Sequence, residues 1–263
     1  ASSTASSLLR GLVGSDAATS ARTDDERATL LAKVLKSDTS SSLRRVAAWG
    51  LSEYAGTPVA VEALSTALRH DASANVREMA AWALAQGDDR EPAATGALTT
   101  ALRGDASAEV RATSAWALGN IGDRGAVDAL VAVLNDADSK VRTRALWAIG
   151  NLDPKEAPKA IFPILGDNEP RVRELAAWAL YQIEDPAAVP ALESALHAEQ
   201  NKDVQIADIR ALAALGEKSV DALRGLLESP DPRIKSMAVH ALAGGRAAGP
   251  WPWPWPEPRP FPD

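Results

Sequence analysis

Residues 105–123 read DASAEVRATSAWALGNIGD, and residues 136–153 read DADSKVRTRALWAIGNLD. Each opens on a short polar turn and passes into a helical pattern. In the first, Val110, Ser114, Ala117 and Leu118 recur on one helical face. Upstream, ATGALTTALRGD spaces Ala97, Leu98, Ala101 and Leu102 the same way, so the unit is helix, turn, helix.

Working outward, the phrase recurs along the chain as RRVAAWGL, VREMAAWAL, VRATSAWAL, VRTRALWAI and VRELAAWAL. Its Trp49, Trp82, Trp116, Trp147 and Trp178 stand at a near-constant spacing, the mark of a helical repeat. Two more copies, VQIADIRAL and IKSMAVHAL, carry Arg210 and His240 in place of the Trp. Seven such units therefore fill the chain from Thr23 to Arg246. Ser73, Ser107, Asp138 and Asp231 stand as N-caps before second helices, and Pro170 and Pro232 fit the first helical position. Gly56, Gly87, Gly122 and Gly216 follow second helices. Pro58, Pro92, Pro158 and Pro186 stand at or near the start of the next first helix. Period-two alternation is absent from this region, so the predicted fold is an all-α, right-handed α-solenoid of about seven two-helix repeats.

These phrases resemble HEAT repeats, in the short bacterial form also found in phycobilin lyase subunits. The resemblance spans residues 23–246. It implies that the second helices line a concave face, and that the chain is a binding scaffold rather than an enzyme. It also offers an alternative: an accessory subunit or detached repeat domain of a bacterial enzyme, bilin-lyase-like or associated with a membrane metallopeptidase.

Two periodic features mark candidate functional positions. The first pairs an Asp with an Arg six positions later: Asp38 with Arg44, Asp71 with Arg77, Asp105 with Arg111, Asp136 with Arg142, and Asp167 with Arg173. Carboxylate and guanidinium can pair within a unit or with a neighbour, and a ladder of such pairs would fix the stacking. The ladder is expected to fail at Gln205 and Lys235, where the residues six before are Glu199 and Ser229. The second feature is the Trp series. On a wheel with Val76 at zero, Ala80, Ala83 and Leu84 lie within about 80°, and Trp82 lies about 120° away on the other flank. The five Trp thus form an expected peptide-binding row, flanked by exposed Ala48, Ala81, Ala115, Leu146 and Ala177.

The eight Trp, against two Phe and two Tyr, divide into these five and three more in the segment AAGPWPWPWPEPRPFPD. There Trp251, Trp253, Trp255, Arg259 and Phe261 alternate with Pro, which excludes a helix and favours extended or polyproline geometry. Residues 247–263 are expected to be a docking tail for a Trp-lined surface, on the same chain or on a neighbour in an oligomer or filament. Residues 1–22 are rich in Ser and Ala, with Leu8, Leu9, Leu12 and Val13 forming a short apolar face. They read as a linker or a partial cap.

The net charge of -7 argues against a nucleic-acid partner, and no apolar run approaches a membrane span. The chain is expected to be soluble; the sequence does not fix its localisation and is open to a processed or exported bacterial chain or a fragment. With no cysteine and only His70, His197 and His240, no zinc spacing or thiol nucleophile is available, and no metal or other cofactor is expected. The expected partner is a protein or peptide.

Overall fold

The computed structural model describes residues 23–87 and 92–243. They are helical, with no strand among them. They form two compact units, residues 23–97 and residues 98–243.

In the first unit, residues 23–37 form α1, followed by α2 (Ser41–Gly50), α3 (Pro58–His70), α4 (Ala74–Leu84) and the start of α5 (Pro92–Gly104). Second helices α2 and α4 pack together, and α3 packs on α4. Thr57 caps α3 through its side chain, and Pro58 supplies the first position, where its missing N–H leaves no bond unmade.

In the second unit the second helices α6 (Ala108–Ile121), α8 (Ser139–Leu152), α9 (Pro170–Ile183), α11 (Lys202–Ala214) and α13 (Pro232–Leu242) pack each on the next. Between them run α7 (Val127–Val131), the 3₁₀ stretch Lys159–Gly166, α10 (Val189–Ala198) and α12 (Val220–Arg224). The first helices are thus less regular than the repeat predicts. In Lys159–Gly166, Pro163 removes a donor from the interior, and the backbone winds as 3₁₀ instead.

Ser73, Ser107, Asp138 and Asp231 are N-caps, as the sequence indicates. Gly122 ends α6 in the left-handed region at φ 75°. Asp153 and Glu184 occupy the same place after α8 and α9, at φ 45° and 53°.

The expected strip of exposed small residues on the second helices is not there. Ala48, Ala81, Ala115, Leu146 and Ala177 are all fully buried. In α6 every residue from Ala112 to Gly119 is buried. A wheel assumes one buried face. A second helix in a stack is covered by its own first helix and by second helices on both sides, so most of its circumference is core.

Candidate functional site

The Asp–Arg ladder exists, with a division of labour the spacing leaves open. The Arg reaches forward to a carboxylate of the following repeat. Arg44 donates from Nε to Asp71 Oδ2 at 2.7 Å and from Nη2 to Asp71 Oδ1 at 2.8 Å. Arg111 does the same to Asp136 at 2.7 and 2.8 Å, and Arg142 to Asp167 at 2.8 and 2.8 Å. The Asp six positions before each Arg contributes its backbone carbonyl instead. Asp38, Asp105, Asp136 and Asp167 accept from Nη1 of Arg44, Arg111, Arg142 and Arg173 at 2.8–2.9 Å. Arg77 likewise donates to the Asp71 carbonyl at 2.9 Å.

Each carboxylate also organises its own turn. Asp71 Oδ1 accepts from the Ser73 N–H at 2.8 Å, and Asp105 from Ser107 at 2.8 Å. Ser40 and Asp138 donate to Asp38 and Asp136 in the same way, at 2.7 and 2.9 Å. A planar guanidinium suits the arrangement because its fork matches a carboxylate while a further N–H serves the carbonyl.

The predicted break at Glu199 and Gln205 is only half a break. Glu199 receives Arg173 at 2.6 and 2.9 Å, continuing the carboxylate series. Gln205 Nε2 donates to the Glu199 carbonyl at 2.7 Å, taking over the role of an Arg Nη1. The longer side chain of Glu199 reaches from a longer loop, so the pair survives there.

Electrostatics follow. Hydrogen bonding from Arg111, opposed by burial, holds the Asp136 carboxyl below the usual range. Burial opposes ionisation of Asp71 and Glu199 most strongly, but Arg44 or Arg173 together with turn N–H groups outweigh it and lower both.

The tryptophans do not form the expected open row. Trp49 is 41% exposed and Trp82 is half-buried, whereas Trp116, Trp147 and Trp178 are only 6%, 7% and 3% exposed. A peptide-binding role by surface contact is therefore closed to those three. The Trp147 and Trp178 rings fill the seams between successive second helices. A Cβ placed on Gly119 would lie 2.8 Å from Ala148 Cα and 2.9 Å from Trp147 Cζ3. One placed on Gly150 would lie 2.6 Å from Trp178 Cζ3. The glycines leave room for the next ring, a role the wheel angle alone could not reveal. The expected docking residues Trp251, Trp253, Trp255, Arg259 and Phe261 lie outside the described residues, as does the expected cap at 1–22.

The clefts lie elsewhere, between successive first helices. One in the first unit, of about 600 Å³, runs between α1 and α3. Leu35 and Lys36 face Val59, Ala63, Thr66 and His70 across it, and the Arg44–Asp71 pair closes one end. One in the second unit, of about 640 Å³, runs between Lys159–Gly166 and α10. Phe162 and Leu165 face Ala191, Ser194, Ala195 and Ala198, and Arg173 with Glu199 closes the corresponding end. The two clefts occupy equivalent places in the repeat. The sequence signal for them is the run of small residues along one face of α3 and α10.

Three charged groups stand apart. Asp208 is fully buried in α11, and neither carboxylate oxygen has a hydrogen-bond partner. Burial, reinforced by Glu199, pushes it up to about 8. Burial pushes Glu174 up to about 7, and it pulls Arg144 down to about 10. Asp208 stands where the other second helices place Ala47, Ala80, Ser114, Ala145, Ala176 and Ala238. Among the described residues no group of three or more His, Cys, Asp or Glu is placed to hold a metal ion. No described helix is long and apolar enough to cross a membrane.

Stacked two-helix repeats, tied by bidentate pairs across their junctions, define an α-helical repeat scaffold. The chain belongs to the HEAT-repeat family, whose model matches residues 5–85, 28–102, 61–142, 95–160, 127–213 and 194–247. Comparison with curated protein sequences finds no match. Among solved structures it is similar to the complex of CpcE and CpcF of phycocyanin lyase from Nostoc sp. PCC7120. That match has 25% identity and a TM-score of 0.52, and covers 82% of this chain and 93% of that one. It is also similar in fold to YibA of Escherichia coli, at 24% identity and a TM-score of 0.60, covering 83% and 82%. A designed armadillo repeat protein solved with the peptide (KR)4 matches at 24% identity and a TM-score of 0.51, covering 82% and 98%.

Proposed function

We propose that the protein is a non-catalytic interaction scaffold that receives an extended peptide in the clefts between its first helices. The observation that carries this is the recurrence of one cleft at equivalent places in both units. Each has small residues along one wall, a large apolar side chain (Leu35, or Phe162 and Leu165) on the other, and an ion pair at its end. Such a shape admits the flat rings and Pro rings of a segment that cannot fold on itself. The segment 249–263 of this chain has that chemistry, acting on its own scaffold or on a second copy. In this reading the clefts, rather than the buried Trp116, Trp147 and Trp178, are the binding surface.

The test is a titration of a labelled peptide of sequence 249–263 into chain lacking those residues. Ala63→Arg and Ala195→Arg would each fill one cleft. Saturable binding, weakened about tenfold by at least one substitution at unchanged melting temperature, is expected. Binding indifferent to both, or no binding at about 1 mM peptide, overturns the reading.

The similarity to the CpcE–CpcF complex favours a second reading, a subunit that pairs with another repeat chain of a lyase. A bilin added to the purified chain, with no change in its absorbance, removes the bilin-binding form of that reading.

A further inference from the structure

Arg144 breaks the pattern of its position in the repeat. Three residues ahead of the Trp, or of Arg210 and His240 in its place, the other second helices carry Val46, Met79, Thr113, Leu175, Ala207 and Met237. None is charged, and Met79, Thr113, Leu175 and Ala207 are buried. The stack thus has an uncharged solution for this position, and α8 departs from it. A half-buried guanidinium without a counter-ion is costly, and burial accordingly pulls Arg144 down to about 10.

The charges around it are already committed. Arg144 faces Glu109 of α6 and Arg171 of α9. Glu109 pairs with Lys140, one turn before Arg144 on α8. Arg171 lies 3.5 Å from Glu174 on its own helix. Three cations and two carboxylates leave one positive charge over. Arg144 itself makes no ion pair or hydrogen bond among the described residues.

Its nitrogens divide by access. Nη1 is enclosed without a partner, whereas Nε and Nη2 are not enclosed. Nε and Nη2 form the edge that Arg44, Arg111, Arg142 and Arg173 each present to a carboxylate. One turn along the same stripe, Trp147 Nε1 is also enclosed without an acceptor. An open bidentate edge and one positive charge in excess describe a receptor for an external anion.

We propose that Arg144 binds a single carboxylate of an acidic peptide segment through Nε and Nη2, at a site built by α6, α8 and α9. A carboxylate suits it better than a phosphate. One unmatched positive charge balances a monoanion, whereas Glu109 and Glu174 repel a dianion. The site lies on second helices alone, so it is separate from the clefts between first helices and does not depend on what those clefts receive.

The test titrates the full chain, labelled with nitrogen-15, with the peptide acetyl-AAEAA-amide at pH 8, where Glu174 is ionised. Versions carrying glutamine or phosphoserine at the central position serve as comparisons. The readout is the Trp147 indole N–H and the backbone amides of α8. Saturable shifts with a Kd of about 1–10 mM are expected, and binding at least about tenfold weaker with the glutamine peptide. Arg144→Leu, the residue type of α9 at this position, is expected to abolish the shifts while the melting temperature holds or rises. Arg144→Lys keeps the charge but loses the fork, and is expected to bind more weakly than the parent. No saturable shift at about 50 mM peptide overturns the proposal, as do shifts that survive Arg144→Leu. Phosphoserine peptide bound about tenfold more tightly than the glutamate peptide also overturns it, because the site would then be one for a dianion. If Arg144→Leu does not fold, Arg144→Gln carries the same comparison.

Discussion

At the scale of the residue, backbone conformation and ring placement diverge in how far the sequence discloses them. Gly122 was legible as a helix stop, and its φ of 75° shows why glycine stands there. At the same place after α9 the chain puts Glu184 at φ 53°, where its Cβ crowds the carbonyl. Glu184→Gly is therefore expected to raise stability by about 0.5–1 kcal/mol, and Gly122→Ala to lower it by about 1 kcal/mol. Urea unfolding of both variants checks the pair. A loss of stability in Glu184→Gly would show that the side chain outweighs the backbone strain. The tryptophans were legible as a periodic set but not as buried. Angle around one helix is local information, whereas the Gly119–Trp147 and Gly150–Trp178 seams each join two helices of different repeats.

At the scale of the element, the bidentate pairs tie a second helix to the turn before the next one. The Asp–Arg spacing made the ladder visible. It could not say that the carboxylate serves the preceding repeat while the carbonyl serves its own. That distinction arises because Nη1 points back along the chain as Nε and Nη2 point across the junction. The Arg142 and Asp167 side chains are only 12% and 10% exposed. Salt therefore screens this pair weakly. Arg142→Ala leaves the Asp136 carbonyl and the Asp167 carboxylate each short of a donor, with a cost of about 2–4 kcal/mol. Asp167→Ala in the same chain recovers part of it, since the uncompensated charge is gone. A double-mutant cycle gives the coupling, and a value near zero would reduce the ladder to ornament in the stack. Hydrogen exchange in Arg142→Ala should rise chiefly in α8, α9 and the intervening 3₁₀ stretch, as neighbour-only contacts dictate.

At the scale of the whole molecule, two sets of carboxyl groups pull stability in opposite directions with pH. Asp71, Asp136 and Glu199 have lowered values in the folded chain. Their contribution is fully present above the unfolded value near 4 and is lost as pH falls through the folded values. Asp208 and Glu174 are raised, to about 8 and about 7. Between roughly pH 4 and those values the folded chain holds protons that the unfolded chain has released, so stability falls as pH rises. One such group gives a slope of up to about 1.4 kcal/mol per pH unit. The two trends meet on the acid side, and maximal stability is expected at about pH 4–5, below the usual range for globular proteins. Asp208→Ala restores the residue type that five other second helices use at this position. It should stabilise the protein, more at pH 8 than at pH 5, and leave only the shallower slope due to Glu174. Adding Glu174→Gln should flatten the curve between pH 5 and 7. Thermal melts across pH 3–9 for the parent and both variants provide the measurement. A parent optimum at neutral pH, or an Asp208→Ala gain that does not grow with pH, would mean that Asp208 ionises freely in the folded chain.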